Sequence, residues 1–339
     1  MPELPPTTQT AGLRRDNGAR RGARVIGIDA GGTKILGVVL DPNRAVEHEL
    51  RTTWRERTTD ATVELLIEFC RELEKAVGEV QAFGFGLPAL VPSARGAIPY
   101  STHLPLEGVD FRVRAAQALG RPVAVDNDVN CALRGEVAMG AAVDRQNVVM
   151  LTLGTGIGGA LLLDGQLYRG ARGFAAELGH IPIAKDGPPC QGKCPGRGCL
   201  EALASGGALG RAARELAERD PESTLGQALL AGAEIDGALV TDLALAGDRQ
   251  AQALIATVGE HLGVGLAAFA NAFDPELILI GGGLARAGEL LLGPARRVLE
   301  QRALPAIREQ VQVELAGLGE RAGAIGAAIM AAELCAREE

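Results

Sequence analysis

The chain has 339 residues, which exceeds what one compact core usually holds and therefore favours two domains. Hydrophobic residues make up 47% of the sequence but aromatic residues only 3%, so the cores must be built mainly from Ala, Val, Leu and Ile. The formal net charge of −8 argues against a general nucleic-acid-binding surface, because phosphate binding needs clustered Lys and Arg.

Residues 1–23 are rich in Pro and Thr and then in Arg, and we expect them to form a disordered tail. This segment lacks the apolar stretch of a signal peptide, and no run in the chain reaches the roughly 18 apolar residues of a membrane span. Six cysteines in a chain of this length are not the composition of a disulfide-rich secreted protein. We therefore expect a cytoplasmic protein with no membrane partner.

The first predicted strand runs over residues 25–29, and a Gly-rich turn joins it to a second strand over residues 35–40. Residues 148–164, VVMLTLGTGIGGALLLD, repeat this arrangement of strand, Gly/Thr turn and strand. Superposition without gaps at an offset of 123 places Asp41 on Asp164. This predicts an internal repeat of one β-hairpin unit, and hence two related domains.

The turns of the two hairpins carry residues suited to binding phosphate. Glycines leave backbone N–H groups open to an anion, and threonine hydroxyls add further donors. Lys34 would add positive charge, and Asp29 would hold a metal ion directly or through water. The alternative is that each turn is only a tight hairpin in a sheet. The candidate residues are Asp29, Gly31, Gly32, Thr33, Lys34, Gly154, Thr155 and Gly156.

The glycines at 154, 156 and 159 also match the spacing of the dinucleotide fingerprint. That fingerprint requires a helix after the turn, whereas residues 160–168, ALLLDGQLY, are typical of a strand. The sequence context therefore excludes an NAD site here, and the P-loop pattern GxxxxGK[ST] is absent from the sequence.

Residues 126–130, DNDVN, follow a short apolar strand and precede an Ala- and Leu-rich helix. Polar residues at such a junction often do no more than cap the helix. The alternative is that Asp128 is a general base, because a carboxylate on a rigid strand end could take the proton from a hydroxyl that attacks a γ-phosphate.

A third glycine cluster follows a predicted buried strand at residues 277–280. Gly281, Gly282 and Gly283 form the turn, and an amphipathic helix is predicted to start near Ala287. Such a turn would let a flat ring or a sugar approach the backbone. A strand-to-helix turn without a ligand is the alternative.

Together these segments resemble the ROK family of sugar kinases, within the actin-like ATPase superfamily. The resemblance runs from about residue 24 to residue 335, with the motifs in family order. The matching motifs are DAGGTK (29–34), DNDVN (126–130), LGTGIGG (153–159), ELGH (177–180), GCLE (198–201), IGGGLA (280–285) and AGAIGAA (322–328).

The resemblance implies a two-domain α/β fold of the actin-like (ribonuclease H-like) type, with ATP in the cleft between the domains. It implies a small domain of residues 24–131 plus 324–339. It also implies a large domain of residues 132–323 that contains a zinc loop at residues 180–199. The implied activity is the ATP-dependent phosphorylation of a hexose with Mg²⁺, by a protein that forms a homodimer.

The same resemblance assigns roles to particular residues. Asp128 would be the catalytic base, Gly281 to Gly283 would lie by the adenosine, and the two hairpin turns would hold the phosphates. The implied sugar contacts are Ala89, Thr102, Asn127, Asp128, Glu177, His180 and Glu201.

Residues 167–183, LYRGARGFAAELGHIPI, look most like the glucokinase branch, which makes glucose the first candidate substrate. Three positions depart from the family pattern: Ala89 replaces a glycine, His103 replaces an asparagine and Asp126 replaces a glutamate. The first two bear on which sugar fits, so fructose, mannose, allose and N-acetylated amino sugars remain alternatives.

Two non-catalytic alternatives are less favoured by the sequence. Members of the family that act as repressors carry a helix-turn-helix domain of about 70 residues before the kinase-like region, whereas only about 23 residues precede the first strand here. A sugar-binding protein without activity would not need Asp128 and both phosphate turns.

The cluster formed by His180, Cys190, Cys194 and Cys199 offers four ligands of the kinds that zinc prefers. The family usually has one residue between the first two cysteines, and here there are three. Four protein ligands leave no open position, so the expected zinc is structural. A disulfide within the cluster and unliganded thiols are the alternatives. The remaining cysteines have apolar helical surroundings and are expected to be inert: Cys70, Cys131 and Cys335.

Overall fold

The computed structural model describes residues 23–56, 58–93 and 96–338. The tail predicted at residues 1–23 lies outside these ranges, except for Ala23.

The first half of the chain forms a five-stranded mixed sheet in the order β3-β2-β1-β4-β7. Strands β1, β2 and β3 form an antiparallel meander, and β4 and β7 run parallel to β1. The strands are β1 (Val25–Ala30), β2 (Lys34–Leu40), β3 (Val46–Thr53), β4 (Ala82–Leu87) and β7 (Val123–Asn127). A separate two-stranded ribbon consists of β5 (Ala89–Leu90) and β6 (Tyr100–Ser101).

The second half forms another five-stranded sheet in the order β10-β9-β8-β11-β12. Its strand directions match those of the first sheet, with two antiparallel pairs followed by two parallel pairs. The predicted internal repeat is therefore confirmed. The strands are β8 (Val148–Leu153), β9 (Ile157–Leu163), β10 (Gln166–Leu167), β11 (Leu277–Gly281) and β12 (Gln312–Leu315).

The gapless superposition of the two hairpins is wrong by one residue after the turn. Four residues separate the last paired positions of the first hairpin, but only three separate those of the second. As a result Asp41 corresponds to Leu163 rather than to Asp164. Glycine and threonine dominate both turns, so composition could not reveal the different turn lengths.

Eleven helices in the described residues cover the sheets. Helices α1 and α2 pack on the first sheet, α4 to α9 pack on the second, and α3 and α11 lie between the two sheets. The helices are α1 (Thr59–Val77), α2 (Phe111–Leu119), α3 (Asp128–Met139), α4 (Leu200–Ala204), α5 (Gly206–Arg219), α6 (Thr224–Leu230), α7 (Gly237–Leu245), α8 (Arg249–Phe273), α9 (Glu289–Arg302), α10 (Pro305–Arg308) and α11 (Ala322–Glu338).

Side chains of the first hairpin alternate between two cores, as expected for a strand buried on both faces. Ile26 and Ile28 pack against α1 and α2, whereas Leu36 and Val38 pack against α11. The first sheet is thus completed on one face by the C-terminal helix. The predicted domains, residues 24–131 plus 324–339 and residues 132–323, stay a prediction.

Small residues let α11 approach its neighbours at backbone distance. A Cβ at Gly326 would collide with the carbonyl oxygen of Cys131 in α3, and a Cβ at Gly84 in β4 would collide with the carbonyl oxygen of Ala327. The AGAIGAA motif of residues 322–328 is therefore a packing surface, and it fixes α3 against the first sheet.

One helix in the described part of the chain, α8, is long and apolar enough by length and composition to cross a membrane. Its sequence contains Glu260 and His261, so the 18-residue window passes on mean hydropathy rather than as an unbroken apolar run. Within that window 56% of the residues are buried, and α8 packs on α9. This is the environment of a core helix.

Glu136 in α3 is a fully buried carboxylate that organises the loop after β12. It accepts hydrogen bonds from the backbone N–H groups of Ala141 (2.8 Å), Gly317 (3.0 Å) and Leu318 (2.8 Å). In Glu136→Gln an amide NH₂ would face these donors. We expect this change to lower the free energy of unfolding by about 2–3 kcal/mol, because it leaves buried polar groups unpaired.

Chemical denaturation measures this effect, with Glu72→Gln on the exposed surface of α1 as the matched control. The control should change stability by less than about 0.5 kcal/mol. Equal stability of the two variants would show that Glu136 does not hold the loop.

Candidate active site

The DNDVN segment forms the junction between β7 and α3. The side-chain oxygen of Asn127 accepts hydrogen bonds from the N–H groups of Val129 (2.9 Å) and Asn130 (3.2 Å), so Asn127 is the N-cap. Asp128 is the first residue of the helix, and its carboxylate accepts a hydrogen bond from the backbone N–H of Val129 (3.0 Å). The capping and catalytic interpretations therefore fall on neighbouring residues.

Asp126, one residue before the cap, is buried and anchors this junction. Its carboxylate accepts hydrogen bonds from the N–H of Asn127 (2.8 Å), from Nδ2 of Asn130 (2.9 Å) and from Nε of Arg169 (2.6 Å). Sequence reasoning missed Arg169, which lies 43 residues from its partner just after β10. The junction that carries Asp128 is consequently held from the second sheet as well as from the first.

Four carboxylates influence one another around Asp128, and we call them the carboxylate cluster: Asp29, Asp128, Glu177 and Glu201. Burial, and then Asp128, raises the pKa of Asp29 to about 7, while Lys34 opposes the shift. Burial also raises the pKa of Asp128 to about 6, with a further contribution from Glu177 against the Val129 hydrogen bond. The pKa of Glu177 is raised by burial and by Glu201, and His180 opposes the shift.

Neighbouring acids with raised pKa values, here Asp29, Asp128 and Glu177, are typical of a functional site. A bound cation or a positively charged donor would offset the mutual repulsion of the cluster. We therefore treat Asp29 and Asp128 as the centre of the candidate site.

The first hairpin turn is held by residues outside it. The indole N–H of Trp54 donates to the carbonyl oxygen of Gly31 (2.9 Å), and the ring of His103 lies against Gly32. Lys34, predicted to face phosphate, forms an ion pair with Glu320. An anionic ligand at this turn would have to compete with Glu320 for the lysine.

The second hairpin turn is bonded to Glu201 and to α5. Glu201 accepts a hydrogen bond from the N–H of Ile157 (2.8 Å), and a Cβ at Gly156 would collide with the same carboxylate oxygen. The N–H of Gly206 donates to the carbonyl oxygen of Gly154 (2.8 Å). Glu201, predicted as a sugar contact, thus stabilises the second hairpin turn with one of its two oxygens.

A cavity of about 610 Å³ opens beside the second turn. This volume is within the range of small-molecule sites. The N-terminal ends of α5 and α7 line it, and helix N-termini favour anions. Besides Thr155, the lining includes six glycines and seven charged side chains: Gly154, Gly206, Gly207, Gly210, Gly237, Gly283, Arg211, Arg214, Glu215, Glu218, Glu234, Asp236 and Arg286.

The third glycine cluster only partly reaches this cavity. Gly283 lines it, whereas Gly281 is a buried residue of β11 that pairs with Thr152. Gly282 has φ of +85°, and a Cβ there would contact the backbone of Leu153. The predicted helix after this cluster begins at Glu289, two residues later than expected, because residues 283–287 form a 3₁₀ turn.

The β5–β6 ribbon contacts the DNDVN junction through Ala89. The carbonyl oxygen of Ala89 accepts a hydrogen bond from Nδ2 of Asn127 (3.5 Å), and Ala89 pairs with Ser101. The backbone N–H of Thr102 donates to the carbonyl oxygen of Pro88 (3.1 Å). The threonine itself is exposed. The structure therefore brings Ala89 and Thr102 to the same junction as Asn127.

The zinc-ligand candidates converge as predicted. One potential ligand atom from each of His180, Cys190, Cys194 and Cys199 lies within 4.8 Å of the others, and Cys190 Sγ is 3.4 Å from His180 Nδ1. All the cysteines are free thiols, so the disulfide alternative is not adopted. One imidazole nitrogen and three thiols at this separation fit a tetrahedral metal ion.

The two ring nitrogens of His180 point in different directions. Nδ1 faces the cysteines, while Nε2 lies 4.0 Å from a carboxylate oxygen of Glu177.

The cysteines outside the cluster differ in exposure, since Cys70 and Cys131 are buried and Cys335 is only partly buried.

Comparisons with known proteins agree with this arrangement. Residues 25–334 match the ROK family. A glucokinase from Thermotoga maritima is 33% identical over 308 residues, which are 90% of this chain and 96% of that protein. A putative xylose repressor from Caldicellulosiruptor is 28% identical over 90% of this chain and 77% of its own length.

Among solved structures, the ROK family glucokinase from Streptomyces griseus in complex with glucose and AMPPNP superimposes with a TM-score of 0.82. Its sequence is 33% identical, and the match covers 91% of this chain and 99% of that one. This likeness confirms the predicted α/β fold of two actin-like domains. The chain belongs to the ROK family.

Proposed function

We propose that the protein is an ATP-dependent hexose kinase, and that glucose, converted to glucose 6-phosphate, is its substrate. The observation that carries this proposal is the position of Asp128. It is the first residue of α3 and follows Asn127, which donates a hydrogen bond to Ala89 of the ribbon. Its carboxylate interacts with that of Asp29 at the end of β1, and its own pKa is raised to about 6. Related glucokinases over nine-tenths of the chain support the choice of reaction and sugar.

In the proposed reaction the sugar binds at the junction, with Asn127, Glu177, His180 and Glu201 as hydrogen-bonding partners. Ala89 and Thr102 form the adjoining wall. Asp128 accepts the proton of the sugar 6-hydroxyl as its oxygen forms a bond to the γ-phosphorus of ATP. The bond from that phosphorus to the bridging oxygen breaks, and ADP leaves.

The nucleotide would occupy the cavity beside the second turn. Its phosphates would lie between the turns of residues 31–34 and 154–156, close to the N-terminus of α5, whose helix dipole favours an anion. The base would reach the far end of the cavity, near Gly283 and the N-terminus of α7. Asp29 fits a ligand of Mg²⁺, directly or through water, and Mg²⁺ would neutralise charge on the transferring phosphoryl group.

We also propose one structural Zn²⁺ per chain, bound by the cluster of His180 and three cysteines. The geometry of the four ligand atoms supports it. The zinc would fix the loop of residues 180–199 and with it the orientation of Glu177 and Glu201. From the family resemblance we further propose a cytoplasmic homodimer, which analytical ultracentrifugation would test.

A coupled assay of ADP release over a panel of hexoses tests the proposed function. The panel should contain glucose, fructose, mannose, allose and N-acetylated amino sugars, and polyphosphate should be compared with ATP as the donor. We expect the highest kcat/KM with glucose and ATP. A higher value for another sugar would reassign the substrate, with Ala89 and His103 as the first positions to examine.

The similarity to xylose repressors makes a sugar-binding regulator the second candidate. Sugar binding in calorimetry without turnover of any sugar and donor would favour it. Turnover of any sugar in the panel would exclude it as the sole function.

The pH dependence of kcat/KM should show an acid limb near pH 6. Asp128 must be ionised to accept a proton, so activity is lost as the pH falls through its pKa of about 6. If Mg²⁺ binds at Asp29, whose pKa is about 7, a second limb should move to lower pH as the Mg²⁺ concentration rises. Rates from about pH 5 to 9 at two Mg²⁺ concentrations measure both limbs. A profile that is flat down to the lowest pH would contradict the role of Asp128.

A further inference from the structure

Three residues separate the first two cysteines of the zinc-ligand cluster: Gln191, Gly192 and Lys193. We call them the spacer. A cysteine of the cluster stands at each end of it, so its path is restrained on both sides. The spacer is also two residues longer than the family arrangement noted from the sequence, and its side chains make contacts in two directions.

The first residue of the spacer contacts the nucleotide side. Nε2 of Gln191 donates to the carbonyl oxygen of Thr155 (3.3 Å) and lies 3.3 Å from Oγ of Ser205. Thr155 lines the cavity, and Ser205 is the N-cap of α5, accepting a hydrogen bond from Ala208 (3.0 Å). The amide oxygen of Gln191 would be 3.2 Å from a Cβ at Gly207, which also lines the cavity.

The last residue of the spacer contacts the sugar side. Nζ of Lys193 donates to a carboxylate oxygen of Glu107 (2.8 Å) and lies 5.2 Å from the centroid of the Tyr100 ring. Tyr100 and Glu107 belong to residues 100–107, which begin with β6 and carry Thr102 and His103. The ring of His103 in turn lies against Gly32 in the first phosphate turn.

The spacer therefore joins the second phosphate turn to residues 100–107, which contact the first phosphate turn through His103. We propose that it is a cross-cleft bridge that couples sugar binding to nucleotide binding. Nucleotide bound at Thr155 would fix Gln191, and through the restrained spacer it would fix Lys193 against Glu107 and hold residues 100–107 over the sugar. Gln191 and Lys193 are thus positioning residues.

This inference rests on the proposed kinase function and deepens it. By linkage, if bound nucleotide raises the affinity for sugar by a certain factor, bound sugar raises the affinity for nucleotide by the same factor. The Lys193–Glu107 pair is exposed, with 69% and 43% of the two side chains accessible, so each contact should change that factor only about two- to fivefold.

The test is a pair of calorimetric titrations of the zinc-loaded protein with glucose, without and with saturating AMPPNP. The ratio of the two Kd values is the coupling factor. The reverse titration, AMPPNP without and with glucose, can be followed by fluorescence, because Trp54 is the sole tryptophan and its indole contacts Gly31.

We expect Gln191→Ala and Lys193→Ala each to lower the coupling factor about two- to fivefold, with the Kd for either ligand alone nearly unchanged. The double variant Lys193→Glu with Glu107→Lys exchanges the two charges and should restore the coupling factor of the wild type. Lys185→Ala, an exposed lysine of the same loop, is the matched control and should leave the factor unchanged. Zinc content should stay at the wild-type value in every variant, which separates this effect from damage to the zinc loop.

A coupling factor that is one in the wild type, or unchanged in both spacer variants with zinc retained, would overturn the bridge. The proposed function fails in a different way, by absence of turnover or of glucose binding in the wild-type protein. Normal turnover combined with unaltered coupling would thus remove the bridge and leave the kinase assignment intact.

Discussion

Asp128→Asn should lower kcat by about 10²–10⁴-fold, the usual contribution of a general base. The amide cannot accept the proton of the attacking hydroxyl, but it has nearly the same shape as the carboxylate. The cap on α3 is made by Asn127, so the helix should begin where it does in the parent protein. We therefore expect the Kd for glucose to change by less than about tenfold, since binding groups other than Asp128 remain.

The same variant should be more thermostable than the parent at pH 8 in the absence of ligands. The pKa of Asp128 is raised to about 6, mainly by burial, so the folded state favours the protonated acid. Its contribution to stability is fully present below the unfolded pKa and is lost as the pH rises through about 6. Asparagine removes the charge, so the gain in Tm should appear at pH 8 and vanish below about pH 4.

The control for both effects is Asp164→Asn, the same chemical change at an exposed turn after β9. It should alter neither kcat nor the dependence of Tm on pH. Near-normal turnover of Asp128→Asn would remove Asp128 from the role of base. A Tm that falls at pH 8 would show that the carboxylate is stabilised in the folded state.

Loss of zinc should have the second large effect. Cys194→Ser removes one of the four proposed ligands, and structural zinc sites contribute on the order of 10 kcal/mol to local folding. We expect metal analysis to show zinc near one per chain in the parent protein and a small fraction of that in the variant. Since Glu201 follows the last ligand by two residues and contacts Ile157, glucose affinity should fall by at least about tenfold.

His180→Cys distinguishes the two proposed roles of this histidine, zinc binding and sugar binding. A fourth thiolate can complete a tetrahedral zinc site, so zinc should be largely retained. The nitrogen that faces Glu177 is lost, and glucose affinity should fall. Cys335→Ser in α11 is the control for the loss of a thiol and should keep both zinc and sugar binding. Zinc loss without any change in glucose affinity would break the proposed link between the two.

Much of the fold could be predicted from local patterns. Apolar runs on either side of a Gly/Thr turn predicted both hairpins, because a strand buried on two faces needs a nearly continuous apolar sequence. The convergence of the histidine and the three cysteines could be predicted because all four are residue types that zinc prefers as ligands. The lengths of the two hairpin turns could not be predicted, because one residue more or less leaves the composition of a turn nearly unchanged.

The residues that sequence reasoning missed act across long stretches of chain. Arg169 reaches Asp126, Trp54 reaches Gly31, and Glu320 holds Lys34. Each contact depends on how separate elements pack, and no spacing rule links the partners. The wall of the cavity formed by α5 and α7 was likewise not visible, because its glycines resemble ordinary helix residues until the helices are placed together.

The packing of α11 against the first sheet has a consequence for how the protein is made. The apolar side chains Leu36 and Val38 are synthesised long before the residues that cover them, among them Ile325 and Ile329. In a growing chain this face of the sheet therefore stays uncovered until α11 has been synthesised. Exposed apolar surface of this kind promotes aggregation. We therefore expect chaperones that bind such surfaces to bind the nascent protein.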